Sequence, residues 1–176
     1  MHFNHDGRAS VRLAVDLVNA PPGGPADLAR RCAAAGLVLP AAVDDAAVAG
    51  VRDVLEGGWL AVVDAAGEGR AAAVNALLRR WTAAPRMTDH DGSGWHLHHH
   101  GAVDVVGQVA ALVAVGTALH LVARGPDRLG RCAAAGCERV WADLSRAGRQ
   151  EYCSARCGNR AAVARSRDRA RARAGR

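Results

Sequence analysis

Four of the five cysteines stand close together near the end of the 176-residue chain: Cys132, Cys137, Cys153 and Cys157. Their pattern is C-x4-C, then 15 intervening residues, then C-x3-C. Two local pairs at this separation suit a tetrahedral thiolate site, because each pair gives two ligands from one turn and the spacer can fold back. Gly136 would let the first turn tighten. No secretory pattern opens the sequence, so a cytoplasmic protein is expected, where disulfides are rare and clustered cysteines need another partner. One zinc ion per chain is the expected cofactor, since zinc accepts four thiolates in a closed structural site. Iron in a rubredoxin-like site uses the same ligands, usually on narrower C-x2-C pairs, and unmetallated thiols are the third reading. Cys32 lies far from the four in a helical stretch and reads as a small buried hydrophobe.

Charge divides the chain at the same place. All 23 basic residues are Arg; residues 1–130 carry a net −2 and residues 131–176 a net +8. A near-neutral body with a basic C-terminal segment fits a polyanion-binding module. The segment after Cys157 is helix-like, with Ser154 placed as its N-cap. Along it Arg165, Arg169 and Arg173 form one i, i+4 row, while Arg156, Arg160, Arg167 and Arg171 gather on another arc. Two such arcs suit a helix lying in a groove with phosphate walls on both sides. A helix charged only for solubility, or a solvated tail, would carry the same composition.

Other candidates carry less. His96, His98 and His100 would share one face of a strand and could take a second metal ion, but no carboxylate motif accompanies them, and a polar strand face explains them equally. There is no phosphate-binding glycine loop, nucleophile elbow or pair of carboxylates beside a base. An enzyme reading would rest on those histidines or on Asp16 and Asn19, and none is expected.

The elements that must position these residues are mainly helical, for Ala, Val and Leu dominate an apolar half of the chain. His2 to Arg12 reads as a short strand or extended arm, and Leu13 to Asn19 opens the packed domain. Pro21 to Pro25 breaks the chain. Helices are expected over Ala26–Ala35, over Val43–Ala65 with a bend or split at Gly57-Gly58, and over Gly69–Trp81. Pro85–Asp89 and Trp95–His99 read as a β-hairpin turning at Asp91–Gly94. Another helix runs from Val103 to about Val122; its apolar run, Val109–Val115, is too short to span a bilayer. In the cysteine segment, Arg139–Trp141 and Gln150–Tyr152 would form hairpin strands joined by Asp143–Gly148, giving a knuckle, hairpin and helix in treble-clef-like order. The fold class is therefore mainly α (α+β): a helical domain over 1–126 with a β-hairpin, and a four-cysteine zinc finger with an Arg-rich helix over 127–176.

Arg131-Cys132, Cys137, Trp141-Ala142-Asp143, Ser145-Arg146, Tyr152-Cys153-Ser154 and Cys157-Gly158-Asn159-Arg160 resemble the CGNR zinc finger. That module closes bacterial proteins described as stress-induced transcription regulators, whose N-terminal part is the ABATE domain. Leu13 to Asn19 resembles that domain's opening motif, and Asn75-Ala76-Leu77-Leu78 with the Pro85–Leu97 hairpin its middle. Ala20 stands where the family commonly has Thr, and Arg31-Cys32 where it commonly has Trp-Leu. The resemblance spans roughly residues 11–172 and implies zinc, DNA binding and a role in transcription on the nucleoid. Asp143 and Arg160, both in the family-like pattern, would pair to brace the finger, or Arg160 would reach phosphate; Asn159 would bond backbone near the ligand turn. The body would sense a small-molecule effector, dimerise or recruit a partner. An RNA- or ribosome-binding module would use the same basic helix, and a protein-interaction module the same zinc site.

Overall fold

A computed structural model of the chain, describing residues 7–39, 42–89, 95–99, 101 and 104–174, is organised around one helix, α6 (Val105–Arg124). Its residues are apolar nearly all round, and such a helix must be enclosed. Val105, Val109, Leu112, Val113 and Ala114 sit in the core. The Asp104 carboxylate caps its start, accepting from the Gly107 N–H at 2.7 Å. The helix has the length and apolarity of a membrane span, yet 72% of its most apolar window is buried within the fold. It is the core helix, longer than the uninterrupted apolar run suggests.

Helices α1 (Arg8–Asn19), α3 (Asp45–Val54) and α5 (Gly67–Trp81) pack around it. The arm expected over His2–Arg12 is instead helical from Arg8, and the residues before Gly7 lie outside the described ones. Val11, Ala14 and Leu17 recur at helical spacing and are buried, so the helical period prevails over a short strand-like alternation. At this crossing a Cβ on Gly116 would stand 2.1 Å from the Ser10 Cβ, so only glycine lets α1 and α6 approach. Helix α2 (Pro25–Ala34) begins with Pro25 at its first position and buries Leu28 and Cys32.

The expected break at Gly57-Gly58 takes the form of a π-helical turn, Leu55–Trp59, between α3 and α4 (Leu60–Asp64). The widened turn keeps Leu55, Trp59, Val62 and Val63 all in the core. Trp59 is fully buried and donates its indole N–H to the Thr117 hydroxyl on α6 at 2.9 Å. Arg70 of α5 donates to the Val62 and Val63 carbonyls and to that of Pro126. It thereby satisfies the orphan C-terminal carbonyls of α4 and pins the turn after α6.

The two sheets are small antiparallel pairs. Strands β1 (Arg86–Thr88) and β2 (His96–His98) pair with Met87 opposite Leu97, as the sequence implies. The turn expected over 91–94, His100 and the His96 side chain lie outside the described residues. The second pair differs from expectation. Strand β4 (Val140–Ala142) pairs with β3 (Leu129–Arg131), placing Gly130 opposite Trp141, and not with Gln150–Tyr152. The C-x4-C turn folds the chain back on itself, so the segments flanking the first cysteine pair become the two strands. The 150–152 segment reaches this unit through one bond, Ala133 N–H to the Glu151 carbonyl at 2.9 Å. Helix α7 (Ala155–Ala174) closes the described chain.

The compositional division near residue 126 is not a gap in packing. Leu129 and Val140 are 2% and 0% exposed and belong to the same core as α1 and α6. The Asn19 side chain donates to the Val140 carbonyl at 2.8 Å and accepts from its N–H at 2.9 Å. It acts as one residue of a neighbouring strand would. Arg131 grips both oxygens of Asp64, the second at 2.9 Å.

Candidate metal centre and basic helix

The first cysteine pair sits on the turn between β3 and β4. Cys132 N–H donates to the Arg139 carbonyl at 2.8 Å and Cys137 N–H to that of Ala134 at 3.1 Å. Gly136 makes the turn possible with φ +69, in the left-handed region. Cys153 N–H points back at the Cys132 sulfur at 3.4 Å. Cys157 lies in the first turn of α7, where its N–H donates to the Ser154 hydroxyl, the cap expected from sequence.

All four Sγ atoms lie within 4.8 Å of one another. Cys137, Cys153 and Cys157 form a near-equilateral triangle with edges of 3.8, 3.7 and 3.8 Å. A tetrahedron with metal–sulfur bonds of about 2.3 Å has edges of about 3.8 Å, so these three sulfurs are spaced as zinc ligands rather than for a disulfide. Their chemistry agrees. Desolvation raises the Cys132 thiol, but the backbone N–H groups of Cys153 and Ala134 bring it down to about 7. Cys153 is pushed up to about 12 by desolvation and by its cysteine neighbours. Four thiolates cannot ionise together so close without a cation, and a divalent ion would stabilise all four in their charged form. Arg160 adds a guanidinium nitrogen 3.8 Å from the Cys157 sulfur.

Residues 128–170 match the CGNR zinc finger. No curated protein matches the chain at a significant level. The CGNR finger here holds one zinc-binding site, formed by Cys132, Cys137, Cys153 and Cys157. Cys32 stays apart, fully buried on α2, its thiol raised to about 11 by desolvation.

Around the finger two expectations are corrected. Asp143 does not pair with Arg160. It is 1% exposed, accepts from the Ser145 and Gln150 N–H groups at 2.8 and 3.0 Å, and pairs with Arg128 at 3.4 Å. It thus folds the 143–150 loop from within, while Arg160 stands in the second turn of α7 beside the Cys157 sulfur. The Asn159 side chain makes no hydrogen bond with the described residues; it lies two residues past Cys157, which turns it to the far, exposed side of α7. Gly158 abuts the Tyr152 ring, whose hydroxyl accepts from Arg165 at 2.7 Å.

Sequence reasoning missed Arg128 and the roles of Tyr152 and Asn19. Arg128 also donates to the Arg124 and Ser145 carbonyls, and its guanidinium fills the space where a Gly148 Cβ would stand. The Arg128–Gly148 complementarity leaves no sequence signal short of the folded loop. Beyond Ala161 every described residue of α7 is exposed. Among the described residues, its two Arg rows have no side-chain partner apart from the Arg165–Tyr152 bond and the Arg160–sulfur contact.

Proposed function

We propose that this chain is a DNA-binding regulator of transcription that grips duplex DNA with α7, presented by the zinc-bound CGNR finger. The observation that carries this reading is the form of α7: a 20-residue helix anchored at one end by the metal site, with seven Arg, one Asp and no buried face beyond its second turn. An exposed helix of like charges is not stabilised by its own side chains. Opposite charge along a nucleic-acid groove offsets that repulsion and releases counterions from the phosphates. Such a protein works on the nucleoid in the cytoplasm and has no catalytic role.

In this reading the body is an ABATE-type sensor of stress. A cleft of about 340 Å³ is bordered by Leu17, Pro21, Val51 and Leu55 of the body and by Arg131 and Glu138 of the finger. A small effector seated there would touch both parts at once. The exposed apolar side chains Met87, Trp95 and Leu97 on the first hairpin are the surface for a second copy of the chain.

Sequencing the nucleic acid that copurifies with the full-length chain tests the reading. Recovery of DNA is the expected result. Enrichment of RNA would replace it with an RNA- or ribosome-binding role, and absence of any nucleic acid in low salt would favour a protein-interaction module.

A further inference from the structure

Between the two Arg rows of α7 runs a stripe without charge. Asn159, Val163, Ser166 and Ala170 recur at i, i+4, i+7 and i+11, a spacing that keeps them on one face of a 3.6-residue helix. This face is opposite Cys157 and therefore turned away from the finger. Arg156, Arg160, Arg167 and Arg171 flank it on one side, and Arg165, Arg169 and Arg173 on the other. Asp168, the helix's single acid, falls on the metal-facing side, where it would meet no phosphate. Asn159 keeps both amide atoms free of the described residues, and Val163, 50% exposed, is the one large apolar side chain of a helix built mostly of Arg and Ala.

An uncharged strip with basic flanks is what a helix needs to enter a major groove: arms reach the phosphates on either side and the strip meets the base edges. We infer that Asn159 and Val163 read bases, Asn159 an adenine and Val163 the methyl group of a thymine. This rests on the DNA reading proposed above. An Asn amide accepts from the adenine N6 amino group and donates to N7, a pairing no other base edge offers in the same geometry. An apolar side chain has favourable contact with the thymine methyl alone among major-groove groups. The rise from Asn159 to Val163 is about 6 Å, so the two pairs read lie one or two steps apart. The whole stripe covers about 16 Å, or roughly five base-pair steps.

The test selects duplexes from a random library with the zinc-loaded full chain, and with its Asn159→Ala and Val163→Ala variants, at one salt concentration. Both side chains are exposed, so zinc content and helicity should be unchanged. The wild type should enrich two A·T pairs within two steps. N159A should flatten the adenine preference at one position by about tenfold or more while leaving affinity for unrelated duplex unchanged. Replacing the selected thymine with deoxyuridine should weaken the wild type several-fold and V163A hardly at all. If the wild type selects a motif that both variants retain, or binds duplex without preference, this assignment is wrong although the DNA reading stands. If the wild type binds no duplex in low salt, the DNA reading itself falls and takes the assignment with it.

Discussion

At the scale of single residues, the two kinds of cysteine part by their surroundings. Cys153 belongs to a cluster of four sulfurs lying within 4.8 Å of one another; Cys32 is buried on α2 with its thiol raised to about 11. Purified protein should carry about one zinc per chain. Cys153→Ser should lose it and unfold the finger, whereas Cys32→Ser should keep it; metal analysis of both variants decides, and full zinc in C153S would remove the site assignment. Asp143 permits a second expectation. Desolvation raises its carboxyl, but the Ser145 hydroxyl, the Gln150 and Ser145 N–H groups and Arg128 hold it below the ordinary carboxylate range. A carboxyl whose folded pKa is depressed stabilises fully above the unfolded value of about 3.9, and that contribution disappears as pH falls through the lower folded value. Asp143→Asn presents an amide donor to an N–H that needs an acceptor, so it should cost about 1–3 kcal/mol at neutral pH. The difference from wild type should shrink on acidification, as denaturant titrations at pH 7 and pH 3 would show.

At the scale of elements, the proposed DNA binding places its energetics on α7. With four to six Arg on phosphates, log K against log salt should slope at about −4 to −5 on duplex DNA. Arg165 is bonded to Tyr152, so Arg169 and Arg173 are the freer members of their row. Changing both to Ala should weaken binding to every duplex alike and flatten the slope by up to about two; an unchanged slope would remove that row from the interface. How much of this was legible beforehand follows from range. Most helices could be read because their apolar periods are local, whereas the caps that Asp44 gives to Ala47 and Asp104 to Gly107 appear only in the fold. The cysteine site could be read because its chemistry tolerates few alternatives. The strand partner of Val140–Ala142 could not, since Gln150–Tyr152 and Leu129–Arg131 are equally strand-like and only the closed C-x4-C turn selects between them. Asp143 misled for the same reason: its true partners lie in its own loop and on Arg128, while the sequence pattern offers Arg160.

At the scale of the whole molecule, the finger and the helical body are one packed object. Asn19→Ala would leave both backbone groups of Val140 without their partner. It should lower stability by about 2 kcal/mol, far more than breaking the exposed Asp64–Arg131 pair, worth under about 1 kcal/mol. Chemical denaturation of N19A and D64N, with zinc content as control, compares them; equal losses would mean that the Asn19 clamp holds nothing. The clamp has a consequence for motion. A finger on a flexible tether would rotate independently of its neighbour, and its amides would relax like those of a small particle. Here the β3–β4 pair is bolted to α1, so the amides of residues 129–142 should report the same rotational correlation time as those of α6. Only the free end of α7, beyond its last contact with Tyr152, should show faster local motion. The body therefore fixes the angle at which the Arg helix meets a surface, and any molecule bound to the body rides with it as a rigid arm.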